Sequence, residues 1–321
     1  MSTWKLSQAL DLTSFDFLSL GADAVADVLD SDHYRERLGH LSLDFFGNGL
    51  HYSHGDLLPL GSIFRIDLFD SLDQALQVLD VVWSLLKILS YYNPLTDRWD
   101  LDGLHDYLFH EADWFDGSNG DDWLAGRGGN DVLHGNGGID GAEYRGARAN
   151  FLLTHNADGW LVDDVHGSEG RDTLVGIERL QFQDSRLALD LDGHAGTAAR
   201  LIGALFGQAA LARADLVGLG LQLLDQGSSA ASVSALAVGS DLFAQAAGSH
   251  GNADFVRQVY RNVVGHEASD AEVAAYVGPL DRGETTQATL ALWASETALN
   301  AQQIDLAGLV QTGIAFTPPV G

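Results

Sequence analysis

Residues 117–140 read GSNGDDWLAGRGGNDVLHGNGGID, and the fold of the middle of the chain turns on how this stretch is divided. Glycine-rich segments often serve as flexible linkers. Set in nines, the stretch becomes GSNGDDWLA (117–125), GRGGNDVLH (126–134) and, carried on to Glu143, GNGGIDGAE (135–143). Each line has glycine first, glycine fourth and Asp sixth, with Leu124, Leu133 or Ala142 eighth. A later copy, GSEGRDTLV (167–175), keeps Gly167, Gly170, Asp172 and Leu174 in phase. Upstream, Asp113 and Phe115 hold the sixth and eighth positions of a copy that lacks its glycines. A linker has no reason to preserve both the phase and an apolar slot.

Six residues of each nine suit a tight turn, where glycine takes backbone angles closed to other residues. The other three suit a short strand whose eighth residue points inward. Two nonapeptides then form one flattened coil, so turns on the same edge stack at i and i+18. Asp122 and Asp140 stand in that relation, and so do Asp113 and Asp131. Each pair is expected to face across a stacked edge. Ca2+ is a hard cation that takes six to eight oxygens, and two carboxylates with turn carbonyls supply them. Without the ion the stacked carboxylates repel, so folding is expected to be coupled to binding. The candidate metal-binding residues are Asp113, Gly117, Asn119, Asp122, Gly126, Gly128, Asp131, Gly135, Gly137, Asp140 and Asp172. Asp172 is offset from Asp140 by a distance that fits no multiple of the repeat, so it has no repeat partner in phase and metal binding by that copy is left open.

The motif resembles the G-G-x-G-x-D-x-U-x nonapeptide of repeat-in-toxin (RTX) proteins, a β-helix repeat that binds Ca2+. The likeness continues through YRGARANFLL (144–153), GWLVDD (159–164), DTLVGIERLQFQD (172–184) and LALDLD (187–192), which resemble the strand-rich cap that follows such repeats. It implies a short parallel β-roll with Ca2+ as the bound ion. It also implies export from a Gram-negative bacterium by the type I secretion machinery, with an uncleaved C-terminal signal and folding driven by extracellular calcium. Three independent features agree. The start, MSTWKLSQALDLTSFDFLSL, lacks the positive region and unbroken apolar core of a secretory signal peptide. There is no cysteine, which excludes a disulfide framework and thiolate metal sites. The net charge is −28, from 45 acids against 17 bases. Such a field repels nucleic acid and anionic membrane surfaces, so no nucleic-acid partner is expected. The most apolar run, VVWSLLKIL (81–89), falls short of the ~20 residues of a spanning helix.

Residues 194–321 are rich in Ala and Leu, and apolar spacings of three and four predict helices over 196–213, 215–225, 228–247, 252–264, 269–281 and 285–299. Asn252 is a candidate N-cap, and Ser269 with Glu272 fits a capping box. FVRQVYRNVVG (255–265), AEVAAYVGPLDRG (271–283) and SETALN (295–300) resemble a helical domain of unknown function frequent at the C-termini of secreted bacterial proteins. IDLAGLVQTGIAF (304–316) is similar to their terminal segment and is expected to belong to the secretion signal.

The segment 1–110 reads as mixed. Strands are predicted at 41–46 and 63–68, a turn at 47–49, and a mostly buried helix over 71–92 that Asn93-Pro94 ends. HYSHG (51–55) is half of the G-x-S-x-G elbow of serine hydrolases, with His51 in place of the first glycine. His33, His40, His51, His54, His105 and His110, half of the chain's 12, could hold haem or a transition metal. Asp97, Asp100 and Asp102 near Gly103 miss the phase of an EF-hand loop. No catalytic motif is complete. The sequence therefore predicts an α+β multidomain chain: a mixed domain of unknown role (1–110), a calcium-binding β-roll with cap (111–193), and a helical domain with the secretion signal (194–321). Its expected role is that of a secreted calcium-binding structural protein, homo-oligomeric or polymeric, in a surface, matrix or filament outside the cell. Phe45, Phe46, Trp114, Phe115 and the open ends of the roll are the expected self-association surfaces. The alternatives are a secreted hydrolase with an unrecognised N-terminal catalytic domain, or a haem- or ligand-binding secreted module.

Overall fold

The computed structural model describes Asp106, residues 109–319, and the strand backbone of the segment before them. It divides into two compact units, Met1–Asp184 and Ser185–Gly321. The first unit begins with β1 (Thr3–Leu6), β2 (Val25–Asp30), β3 (His33–Leu38), β4 (Leu41–Asn48), β5 (His51–Ser53), β6 (Asp56–Leu58), β7 (Ser62–Phe69), β8 (Ala75–Ser84), β9 (Tyr92–Asn93) and β10 (Arg98–Trp99). The strands predicted at 41–46 and 63–68 lie within β4 and β7, which pair antiparallel with Phe45 opposite Ile66. Of the turn predicted at 47–49, Gly47 and Asn48 lie within β4, with a register shift between Phe46 and Gly47, and Gly49 lies outside the described residues. The helix expected over 71–92 is corrected: β8 pairs with β7 on one side and β1 on the other. Its core, VLDVVW, is rich in β-branched residues, and ladders on both edges override an apolar spacing that suited a helix.

The roll follows, with β11 (Trp114–Asp116), β12 (Trp123–Leu124), β13 (Val132–His134) and β14 (Gly141–Glu143). A hairpin, β15 (Phe151–Asn156) and β16 (Gly159–Asp164), leads to β17 (Arg171–Val175) and β18 (Arg179–Gln181). Successive nonapeptides enter two different parallel ladders. One runs β11-β13-β17 and aligns Phe115, Leu133 and Leu174; the other runs β12-β14-β18 and aligns Leu124, Ala142 and Leu180. All six side chains are 0–1% exposed, so the eighth position of each repeat forms the core of the roll. Burial of each larger apolar side chain contributes about 1.5–3 kcal/mol.

Two expectations about self-association change here. Phe115 is fully buried and presents no surface, whereas its neighbour Trp114 stays 38% exposed, stacked beside His134. In the Phe115 sheet the ends of the roll are not open: β1 pairs parallel with β11, and β16 pairs antiparallel with β17. Covered edges of this kind resist edge-to-edge addition. Above the last coil, Tyr144, Phe151 and Phe182 form an aromatic cluster with ring centroids 5.1–5.6 Å apart.

The second unit, taken by itself, opens with β19 (Arg186–Ala188) and continues through α1 (His194–Phe206), α2 (Ala214–Asp225), α3 (Ala230–Val238), α4 (Asp241–Ala247), α5 (Asn252–Val264), α6 (Asp270–Asp281), α7 (Gln287–Ser295), α8 (Ala298–Gln303) and α9 (Leu306–Thr312). β20 (Ile314–Phe316) then pairs antiparallel with β19. The helix predicted over 196–213 stops at Phe206, because Gly207 turns to φ 84°. The one predicted over 228–247 breaks at Gly239-Ser240, where the Ser240 hydroxyl caps α4 by accepting from Phe243 N–H at 3.1 Å. The Ser269–Glu272 capping box is present at α6. Asn252 is not a cap: Gly251 holds that place, and the Asn252 amide instead donates to Asp281. Phe243, Phe255, Val256 and Leu205 centre one core; Ile202, Val217, Leu221 and Ile304 centre another. Among the described residues no single helix is long and apolar enough to cross a membrane.

Candidate metal centre

The turns between strands carry the acids. In GRGG and GNGG the second and fourth residues have positive φ: Arg127 67° and Gly129 132°, Asn136 70° and Gly138 127°. Such angles suit glycine and are tolerated by Asn, which explains the composition at most of these places. Turns on one edge stack at the predicted spacing. Gly128 N–H donates to the Phe109 carbonyl, and Ile139 N–H donates to Asp121 Oδ1, 18 residues back.

The sixth-position acids form two columns. On the first edge, Asp113 N–H donates to Asp131 Oδ1 at 2.7 Å, and Asp131 N–H donates to Asp172 Oδ1 at 3.0 Å. On the second, Asp122 N–H donates to Asp140 Oδ1 at 2.8 Å, and Asp140 N–H donates to Glu178 Oε2 at 2.8 Å. All five aspartates are buried, at 0–1% exposure. Asp172 therefore does have a partner in phase. It is Asp131, 41 residues away, and the chain between them contains the inserted β15–β16 hairpin. Sequence spacing hid this pairing because an insertion changes the count without changing the stack.

One carboxylate oxygen of Asp131, Asp172, Asp140 and Glu178 holds the amide of the preceding coil; the second oxygens of Asp122, Asp131 and Asp140 differ from site to site. Asp122 Oδ2 accepts from Ser118 N–H at 2.6 Å and from the Ser118 hydroxyl at 2.9 Å. Asp131 Oδ2 and Asp140 Oδ2 are buried with no hydrogen-bond partner. Each lies against the bare face of a glycine: a Cβ on Gly126 would sit 2.3 Å from Asp131 Oδ2, and one on Gly135 would sit 2.5 Å from Asp140 Oδ2. Burial raises three of the aspartates, Asp131, Asp140 and Asp172. Asp131 is pushed up to about 9 by burial and then by the charge of Asp172. Asp140 rises to about 7 through burial, with Glu178, Asp122 and Asp121 adding to it. Burial also raises Asp172 to about 7, against the Asp131 amide that it accepts. Buried carboxylates with orphaned oxygens, beside glycine faces and ringed by like charge, suit a hard cation. Among the described residues no three His, Asp or Glu side chains converge on one point. Two acids per level would need backbone carbonyls to complete a shell, as calcium turns provide.

The other predicted residues build the turns. Gly117 N–H donates to the His134 carbonyl at 2.7 Å, and Gly135 N–H to the Val175 carbonyl at 2.9 Å. Gly137 lies over Asn119, whose carbonyl oxygen is 3.8 Å from where a Cβ would project. Ser118, Gly176 and Glu178 also belong to this constellation and carry no repeat signature. Of the residues considered for other chemistry, His110 is exposed. The side chains of Ser53, His33, His40, His51, His54, His105, Asp97, Asp100 and Asp102 lie outside the described residues. Ser53 ends β5, which pairs with β6 as a hairpin, whereas a nucleophile elbow joins a strand to a helix.

Residues 111–142 match the family model of the RTX calcium-binding nonapeptide repeat (4 copies). Residues 235–303 match DUF4214, a domain of unknown function. No curated protein matches the chain. The chain thus carries RTX calcium-binding repeats in its middle and a DUF4214 segment in its helical unit.

Proposed function

We propose that this chain is a secreted protein whose β-roll folds around Ca2+ and whose role outside the cell is structural. The observation that carries the reading is the pair of buried, unpartnered oxygens Asp131 Oδ2 and Asp140 Oδ2, each set against a glycine face. On this reading Asp113, Asp122, Asp131, Asp140 and Asp172 hold the ions, with carbonyls from the glycine turns at 117–119, 126–128 and 135–137. A bound ion supplies the charge that the columns lack. In a calcium-poor cytosol the carboxylates repel and the roll stays open for passage through a type I exporter. In calcium-rich surroundings the coils close on the cores at Phe115, Leu133 and Leu174, and at Leu124 and Ala142.

The division into 1–110, 111–193 and 194–321 is proposed with it, the last part carrying the export signal. A role in self-assembly is supported by an apolar groove of about 260 Å³ in the helical unit, edged by Tyr276, Trp293 and Leu299, which are 47–62% exposed. Patches of exposed aromatic and aliphatic side chains mark interaction surfaces. Sedimentation velocity on the full chain tests this part. Oligomers that form in millimolar Ca2+ and dissolve in EDTA are the expected result, and a strict monomer in both conditions overturns the structural role.

A further inference from the structure

We infer that the second edge carries a cation site beyond the repeats, formed by Asp140 with Glu178 and the Gly176 carbonyl. This rests on the calcium-binding reading above and names a site that lies partly outside the matched segment 111–142. Glu178 takes the place in the column that an aspartate takes one level lower. Asp122 N–H donates to Asp140 Oδ1, and Asp140 N–H donates to Glu178 Oε2, both at 2.8 Å. The backbone agrees: Gly141 N–H bonds the Asp122 carbonyl, and Arg179 N–H bonds the Asp140 carbonyl one level up.

Gly176 correspondingly takes the place of Gly135. A Cβ on Gly117 would meet the Gly135 carbonyl at 2.6 Å and Asp122 Oδ2 at 3.0 Å. A Cβ on Gly135 would meet the Gly176 carbonyl at 2.0 Å and Asp140 Oδ2 at 2.5 Å. A backbone carbonyl and a carboxylate oxygen thus converge beside the same glycine at both levels.

The two levels differ in what satisfies the carboxylate. At the lower one Ser118 donates twice to Asp122 Oδ2. At the upper one Asn136 stands where Ser118 would, and its amide turns away to Asp116 Oδ1 at 3.0 Å and to the Gly117 carbonyl at 2.6 Å. Asp140 Oδ2 is left buried with no donor. The Arg179 guanidinium donates to the Glu178 backbone carbonyl at 2.9 Å. Oxygen donors, negative charge and a glycine-sized gap select a divalent hard cation of the calcium class.

The test is calcium titration of the EDTA-stripped full chain by calorimetry, with ions counted by native mass spectrometry, for the wild type, Glu178→Gln and Asp131→Asn. Gln keeps an acceptor for the Asp140 amide, so a purely structural Glu178 predicts no change. The inference predicts one Ca2+ fewer per chain in Glu178→Gln, or one site weakened at least tenfold, with the circular dichroism of the calcium-loaded fold retained. Unchanged number and affinity in Glu178→Gln, while Asp131→Asn loses calcium, overturns this inference alone. A wild type that binds no calcium overturns it together with the reading on which it rests.

Discussion

Protons should substitute for calcium in the roll, and the raised carboxylates set the size of the effect. An unfolded aspartate titrates near 3.9, whereas Asp131 in the folded, metal-free roll titrates at about 9, and Asp140 and Asp172 at about 7. Between those values the folded state holds protons that the unfolded state has released. Metal-free stability is therefore greatest at low pH and falls as pH rises from about 4 towards the folded values. By pH 7 each group has crossed about three units of that window, on the order of 4 kcal/mol apiece at 1.36 kcal/mol per unit. Asp131 and Asp172 share a hydrogen bond and titrate as a pair, so the three do not add. A combined loss of roughly 4–8 kcal/mol is comparable with the whole stability of a domain. The assay is thermal denaturation in EDTA at pH 5 and pH 8, followed by tryptophan fluorescence, to which Trp114, Trp123 and Trp160 of the roll and its hairpin contribute three of the chain's seven tryptophans. The transition should be higher at pH 5, and millimolar Ca2+ should restore it at pH 8. Asp131→Asn should shrink the pH dependence, which separates this site from general repulsion in a chain of net charge −28. A metal-free wild type as stable at pH 8 as at pH 5 refutes the reasoning.

Asp140→Asn should act in opposite directions on the two states: weaker calcium binding by calorimetry, and a higher melting temperature in EDTA at pH 8, because a neutral side chain replaces a buried charge. Gly135→Ala should cost about 1–3 kcal/mol of calcium-loaded stability by denaturant titration, since its Cβ would fall 2.0 Å from the Gly176 carbonyl. Leu133→Ala, at a fully buried position between the sheets, should cost about 2–5 kcal/mol in the same titration. Ser269→Ala should remove the hydroxyl half of the α6 capping box and lower the stability of the helical unit by about 1 kcal/mol, read by circular dichroism at 222 nm.

The repeat is legible in the sequence because its phase and its apolar slot are both local. Phe115, Leu124, Leu133 and Ala142 fall in the core by counting nines, and Asp122 pairs with Asp140 by counting two repeats. Counting fails where the chain departs from the period. The β15–β16 hairpin displaces Asp172 from its partner Asp131, and Glu178 closes a column with a different acid at a separation of 38 residues. The role of Ser118 is hidden for another reason: a serine inside a glycine turn is unremarkable until its donors are found on Asp122. β8 imitates a helix because its apolar residues fit one by spacing alone, while its pairing partners β1 and β7 are set by contacts that spacing does not carry. In the helical unit Ser269 announces itself through Glu272 in the capping box, but the break at Gly239-Ser240 falls inside a continuous apolar pattern.

The central claim, that the roll folds by binding calcium, is tested most directly by amide hydrogen exchange on the full chain with and without Ca2+ at neutral pH. The account predicts that peptides covering 113–143 and 171–181 exchange freely in EDTA and become protected when calcium is added, with the Asp113, Asp122, Asp131 and Asp140 amides among the slowest. Equal protection of these peptides in EDTA and in calcium would contradict it.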